Sequence, residues 1–355
     1  MSIGQLYLEH FGMDPLVTTL AHGRVNLIGE HIDYNGGTVL PTQISRVVEV
    51  AMGPHDDSSD IIYSEAFGES VTRQIGSPAS KHWSDYVVGA LTVAREIGVL
   101  TRGVKVAIKS DLPHGSGVSS SAAIIVASLR AAQELQQLPY DPVEIAKLAQ
   151  RVEHQYIGMP CGIMDQMAVA VAKPGYALAL DTKTLDFSHV QLPEDYHFAV
   201  VFSGVMRRLD EGRYAIRREE CEQAAQALGV NDICTMPPEK VLLIDSIEET
   251  LSKRARHVYT EHRRVLKTVE ALEQNDIHRV GSLMEISHQS MRDDFEITTS
   301  EVDAVVSSAI ELGALGARMT GGGFGGCIVA CVPKTDLEVW ANNLEQRHTK
   351  AKFIC

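Results

Sequence analysis

The alternation of apolar and polar positions from about Leu20 to Val50 predicts strand, loop, strand, with a polar, glycine-containing loop between. Val104 to Ile108 (VKVAI) alternates again and predicts a strand. A glycine-serine loop follows it, and Ala122 to Leu135 then predicts a helix. A second helix starts at Asp141, which can cap it. Pro142 suits its first position, and Glu144 can complete a capping-box-like start. Ile145, Leu148, Ala149 and Val152 give that helix an apolar stripe, and Gly158 and Pro160 end it. From about Tyr176 to Val201 strand-like segments return, with turns at Asp181–Lys183 and Pro193–Asp195. Polar-amphipathic helices are predicted over Glu211–Leu228 and Ser252–Gln274, then over Val280–Met291 and Ser300–Leu312. A glycine loop and an apolar strand, Cys327–Val332, close the chain. The change from strand-rich to helix-rich texture predicts a boundary near residue 185, and 355 residues suit two lobes better than one.

Charge narrows the function. The formal net charge of -14 repels a nucleic-acid backbone or an anionic membrane, so neither is expected as a main partner. It leaves ATP open, because a phosphate pocket needs only local donors. The start, MSIGQLYLEHFGMD, has neither the basic nor the apolar region of a signal peptide, and no apolar run reaches spanning length. The cysteines at 161, 221, 234, 327, 331 and 355 are scattered and form no C-x-x-C pair. Reduced thiols in a cytoplasmic protein are expected, without a zinc site.

Four segments carry candidate chemistry. Pro113–Ala123 (PHGSGVSSSAA) lies between a predicted strand and a predicted helix, where close backbone approach and unpaired helical N–H groups suit an anion. One serine would serve as a helix cap; the run Ser119, Ser120 and Ser121 with two glycines exceeds that need. The segment lacks the Gly-Lys-Ser/Thr ending of a Walker A loop. Thr320–Cys327 formally contains G-x-G-x-x-G, but a strand rather than a helix follows, so the dinucleotide-binding reading fails on order. A close backbone approach and a tight connection before the last strand both remain open for it. Arg24, Glu30, His31 and Asp33 share one loop, a set that suits a ligand with many hydroxyls. Spacing at Glu30, His31 and Asp33 matches no standard metal site. Flanking Val25, Leu27 and Ile28 argue against a fully solvated turn. Asp165 is the single charge in MPCGIMDQMAVAVA (159–172). It is either a structural hydrogen-bonding group or a functional one, and it needs a partner, for which Arg24 is the candidate. Glu153 is a second carboxylate that could face the serine loop.

Together these pieces resemble the galactokinases of the GHMP kinase superfamily. GRVNLIGEHIDYNGG (23–37) resembles the galactokinase signature, PHGSGVSSSAA (113–123) the phosphate loop, and RMTGGGFGGC (318–327) the third motif. EHQYIGMPCGIMDQ (153–166) resembles the segment with the catalytic aspartate; HWSDYVVGA (82–90), YAIRREECEQAA (214–225) and MRDDFEITTSEVD (291–303) extend the likeness over nearly the whole chain. The resemblance implies a two-lobed α+β fold of mixed sheets and helices with the active site in the cleft between lobes. Residues 1–185 would form the ATP- and sugar-binding lobe, and 186–355 the lobe that closes the cleft and supplies the third motif. It implies ATP and Mg2+, and a sugar 1-phosphate product, with D-galactose as the sugar. By position, Asp165 and Arg24 would be catalytic. Glu30, His31, Asp33, Gly162 and Tyr214 would contact the sugar. Trp83, Gly115, Ser116, Gly117, Val118, Ser119, Ser120 and Ser121 would contact the nucleotide, with Ser120 and Glu153 as metal ligands. A monomer or weak homodimer is expected. The departures are His22 for proline, Ile32 for threonine, His114 and Ser116 in the phosphate loop, and 202–214 with Arg207, Arg208 and Arg213. They leave phosphoryl transfer intact and open one rival, a kinase for another sugar (galacturonate, arabinose or another hexose). A second rival from another class is a sugar- and ATP-binding sensor without turnover, against which the intact serine loop and Asp165 argue.

Overall fold

The computed structural model describes residues 1–113, 115, 117–206 and 212–355. Helix α1 (Ile3–Phe11) opens on Ser2, which forms a full capping box with Gln5. Strand β1 (Val17–Asn26) leads through the polar loop to β2 (Thr38–Val39) and β3 (Pro41–His55). A hairpin, β4 (Ser59–Ser64) and β5 (Glu69–Gln74), precedes α2 (Asp85–Glu96), β6 (Gly103–Ser110), α3 (Ser120–Leu135) and α4 (Pro142–Arg151). Asp141 caps α4 by accepting the Val143 N–H at 2.9 Å, whereas Glu144 pairs with Lys147 instead of closing a capping box. The helix then widens into a π-helical turn, Val152–Ile157, ended by Gly158 in the left-handed region. No sequence signal predicts that turn. Then come α5 (Met164–Val171), β7 (Tyr176–Asp181), β8 (Phe187–Gln191), β9 (Tyr196–Phe202), α6 (Arg213–Leu228), α7 (Pro238–Val241) and α8 (Glu249–Glu273). The chain ends with α9 (Ile277–Asp293), α10 (Ser300–Glu311), β10 (Gly316–Thr320), β11 (Cys327–Pro333), α11 (Leu337–Arg347) and β12 (Lys352–Phe353). The predicted start of α6 at Glu211 lies outside the described residues. So do His114, Ser116, Arg207 and Arg208.

The chain divides into two compact units. The first comprises Met1–Arg24, Ile44–Leu112 and Ser119–Val171. In it β6 pairs antiparallel with β3 (Val50 opposite Ile108) and parallel with β4 (Ile62 opposite Val106), β5 pairs with β4, and β1 with β3. Helices α2, α3, α4 and α5 bury an alanine- and valine-rich set that includes Val87, Leu91, Ile125, Ala149 and Met167. Small residues let these helices approach closely. A Cβ at Gly89 of α2 would stand 2.6 Å from Val152 at the start of the π turn.

The second unit comprises Val25–Gln43, Pro113–Val118 and Ala172–Cys355. It holds the antiparallel trio β2-β7-β8 and a four-stranded antiparallel sheet in the order β10-β11-β9-β12. Strand β11 reads CIVACV and all six of these residues are buried, as a central strand covered on both faces requires. Mixed sheets with helices make the class α+β. Among the described residues no helix is long and apolar enough to cross a membrane.

Candidate active site

In the first unit, Asp165 lies in the first turn of α5 and is partly exposed. Arg24, 4% exposed on β1, donates to its Oδ1 from Nε at 2.8 Å and from Nη2 at 2.6 Å. The partner that sequence reasoning assigns to this lone carboxylate is the one it has. Its other oxygen, Oδ2, accepts the Ser119 hydroxyl at 2.6 Å. Ser119 occupies the N-cap position of α3 but makes no cap bond; its backbone is left-handed (φ 60), a conformation that L side chains seldom adopt. The strain is of order 1–3 kcal/mol. It turns the hydroxyl onto Asp165 and leaves the first N–H groups of α3 without a side-chain cap. That is the donor arrangement an anion needs.

Glu153 sits on the π turn, 5% exposed. Its carboxylate accepts the Cys161 thiol at 3.2 Å, the Gln166 amide and the Ser121 hydroxyl. Burial, and then the Asp165 carboxylate, raise its pKa above the usual range, against those three hydrogen bonds. Burial pushes the Cys161 thiol up as well, so it stays protonated and donates. Gly162 is buried in the connection that leads to Asp165. Trp83 stacks on Phe67 (centroids 5.2 Å apart, planes at 11°) and donates to Glu69 at 2.7 Å. The turn that carries it is pinned by Asp85. This carboxylate takes the N–H groups of Ser80 and His82 and the Arg73 guanidinium.

In the second unit, Glu30 and His31 are buried and Asp33 is partly exposed. Glu30 accepts from the Thr320 hydroxyl at 3.1 Å and the Gly321 N–H at 3.0 Å, and its other oxygen pairs with Arg318. The His31 ring meets the Tyr34 hydroxyl through Nδ1 (2.7 Å) and lies 5.1 Å from the Tyr214 ring and 4.8 Å from Phe295. His31, Tyr34, Tyr214 and Phe295 form an aromatic corner. The structure thus brings Glu30, His31 and Tyr214 into one region. Gly323 and Gly325 are required by close approaches from the protein itself, and Gly321 by its positive φ rather than by its neighbours. A Cβ at Gly323 would stand 2.7 Å from Ile297, one at Gly325 2.8 Å from the Val205 carbonyl, and one at Gly321 3.6 Å from the Gly117 carbonyl. Gly115 and Gly117 both take positive φ, and Val118 is buried.

Two departures prove to be packing matters. His22 Nδ1 meets the Ile44 carbonyl at 2.9 Å, where β1 runs beside β3. Ile32 is fully buried under the Gly36–Gly37 turn, where a Cβ at Gly37 would stand 2.9 Å from it. Sequence reasoning missed Ser119 as a partner of Asp165, and missed Tyr34, Phe295, Arg318, Glu261 and His257. One signal was present: on α8 the positions 257, 261, 264 and 268 share one helical stripe and all are polar, yet all are buried.

Comparisons with known proteins identify the family. The family described as GHMP kinases N terminal domain matches residues 85–173, GHMP kinases C terminal matches 268–348, and the Galactokinase galactose-binding signature matches 5–54. A galactokinase of Glaesserella parasuis serovar 5 is 39% identical over 98% of this chain and 93% of its own length. One from Actinobacillus pleuropneumoniae serotype 5b is 39% identical over 97% and 93%. The crystal structure of Lactococcus lactis galactokinase complexed with galactose superposes with a TM-score of 0.92 at 31% identity, covering 99% of this chain and 95% of that one. Mevalonate kinase of Methanococcus jannaschii, at 18% identity and a TM-score of 0.71, shares the fold alone. With the ordered motifs matched along the full chain and a carboxylate, arginine and serine joined beside an uncapped helix start, the chain belongs to the galactokinase family of the GHMP kinases.

Proposed function

We propose that this sugar kinase transfers the γ-phosphoryl group of ATP to the anomeric hydroxyl of D-galactose. The observation that carries the reading is the Arg24–Asp165–Ser119 arrangement next to the start of α3. Phosphoryl transfer is mostly positioning and charge stabilisation. The first N–H groups of α3, with Ser120, Ser121 and the loop of Gly115–Val118, hold the ATP phosphates; Trp83 lies against the adenine. Asp165 accepts the proton of the attacking hydroxyl. Arg24 and Ser119 fix its two oxygens so that a lone pair of the carboxylate meets that proton. Tyr214, His31, Asp33, Glu30 and Gly162 take the remaining hydroxyls and the apolar face of the ring.

Mg2+ fits the donors present. Ser120 and Glu153 offer hard oxygens, and Cys161, the soft atom nearby, is held as a thiol. These two residues would hold the ion, which when bound neutralises phosphate charge. Galactose is favoured over other sugars because the departures at His22 and Ile32 are taken up in backbone pairing and core packing. The test is ADP release with magnesium-ATP against galactose, glucose, N-acetylgalactosamine, arabinose, galacturonate and no sugar. Turnover with galactose is expected; preference for galacturonate or arabinose would reassign the substrate. Binding of both ligands with no ADP release would make the protein a sensor.

A further inference from the structure

We propose that Arg318, Glu261 and His257 form a positioning device for sugar recognition, fixing the segment 27–33 and so setting affinity for the sugar rather than the rate of phosphoryl transfer. The inference rests on the reading of that segment as the sugar-recognition loop.

All three side chains are buried, and each holds a different atom of the segment. Arg318 on β10 donates from Nη1 to the Leu27 carbonyl at 3.0 Å and pairs with the Glu30 carboxylate. Glu261 on α8 accepts the Gly29 N–H at 2.9 Å. His257, one turn earlier on α8, sets Nε2 3.2 Å from the Glu30 carbonyl. Burial pushes this imidazole down to about 4, so it is neutral at physiological pH. A carbonyl only accepts, so Nε2 carries the proton and donates. Gly29, with φ +109, is squeezed between α8 and β2: a Cβ there would stand 3.1 Å from Val265 and 3.2 Å from Val39. The backbone between residues 27 and 30 is therefore held by three side chains over 220 residues away in sequence, just before His31 and Asp33.

Charge is balanced inside the cluster. Arg318 lies between two carboxylates, pairing with Glu30 and reaching Glu261 Oε1 at 3.5 Å. Arg264 pairs with Glu261 at 2.7 Å, and the Ser287 hydroxyl meets both Glu261 oxygens. Burial would raise Glu261, but Arg264, Arg318 and His257 bring it down to about 2, so it is ionised under all working conditions. The groups that face Glu30 are Arg318, Glu261, the Thr320 hydroxyl and the Gly321 N–H, with His257 on its carbonyl. Burial raises Glu30, Arg318 lowers it and Glu261 raises it. Neutralising Glu261 thus moves Glu30 towards lower pH, a shift that simple loss of packing does not produce.

The test compares the full-length wild type with Glu261→Gln, His257→Leu and His257→Gln, measuring kcat, both KM values and the pH profile of kcat/KM for galactose. Losing one bond to a charged group predicts about a tenfold rise or more in the galactose KM of Glu261→Gln. The KM for ATP and kcat should stay within about twofold, and the acidic limb should move to lower pH. His257→Leu should raise the galactose KM, and His257→Gln, which can still donate, should recover most of it. The His257 pair decides the matter even if Glu261→Gln does not fold. An unchanged galactose KM in these variants overturns the proposal. So do an equal loss in both substrates and kcat, an acidic limb that moves upward, or a His257→Gln no better than His257→Leu. Asp33→Asn serves as the control. If it leaves the galactose KM unchanged, the recognition reading itself has failed; if it raises that KM while the three variants do not, only the positioning device falls.

Discussion

Replacing Arg24 by lysine keeps one positive charge and removes a planar fork. In the native site Nε and Nη2 both donate to Asp165 Oδ1, at 2.8 and 2.6 Å. A lysine ammonium on a flexible stem can supply one of those contacts. A hydrogen bond to a charged group contributes about 1.5–3 kcal/mol. If the lost bond serves chiefly to orient Asp165 in the transition state, that converts to about a 10- to 150-fold loss in kcat. The true loss should sit towards the upper end, because the Arg24 side chain is only 5% exposed and desolvation weakens a lysine's charge there. Steady-state ADP release would give kcat and both KM values, and a thermal melt would establish that the variant is folded. The expected pattern is a fall in kcat with modest change in the KM for either substrate. A folded Arg24→Lys enzyme with kcat within about twofold of wild type would refute the claim that the fork orients the base. A rise confined to the KM for ATP would move Arg24 to nucleotide binding.

Three further perturbations probe other parts of the site. Asp165→Asn should keep galactose and ATP binding in calorimetry while turnover falls by several orders of magnitude, since the amide cannot take the proton; near-normal turnover would remove Asp165 from the base role. Glu153→Gln should raise the magnesium concentration needed for half-maximal activity and weaken Mn2+ binding observed by electron paramagnetic resonance; an unchanged requirement would move the ion elsewhere. His257, depressed from 6.5 to about 4 by burial, stabilises the fold at neutral pH, and that contribution is lost as pH falls from 6.5 towards 4. The decline of Tm over that window should be shallower in His257→Gln, and an equally steep decline would contradict the buried-neutral assignment.

Where local chemistry decides an element, the sequence was readable. The Asp141-Pro142 start of α4, the alternation of β6 and the helix after the serine loop all appear where pattern and caps put them. The Arg24–Asp165 pair was readable for an energetic reason: a single carboxylate in an apolar run must have a partner. What stayed hidden depends on tertiary context. The left-handed Ser119 gives up a cap bond that local preference favours, in exchange for a carboxylate 46 residues away. The π turn at Val152–Ile157 re-aims Glu153 with no compositional mark, fitted against a glycine on another helix. On α8, polar residues on the buried stripe announce an internal network, and Glu261–Arg264 is a local pair three residues apart, but the pairing of Glu30 with Arg318 joins residues far apart in sequence and has no local signal.

The most direct test of the central claim identifies the product. The enzyme would be incubated with galactose, ATP and magnesium, and the sugar phosphate examined by phosphorus–proton correlation NMR. The account predicts a phosphorus signal coupled to the anomeric proton of galactose. Coupling to the C6 protons, or ADP formation with no sugar phosphate at all, would contradict it.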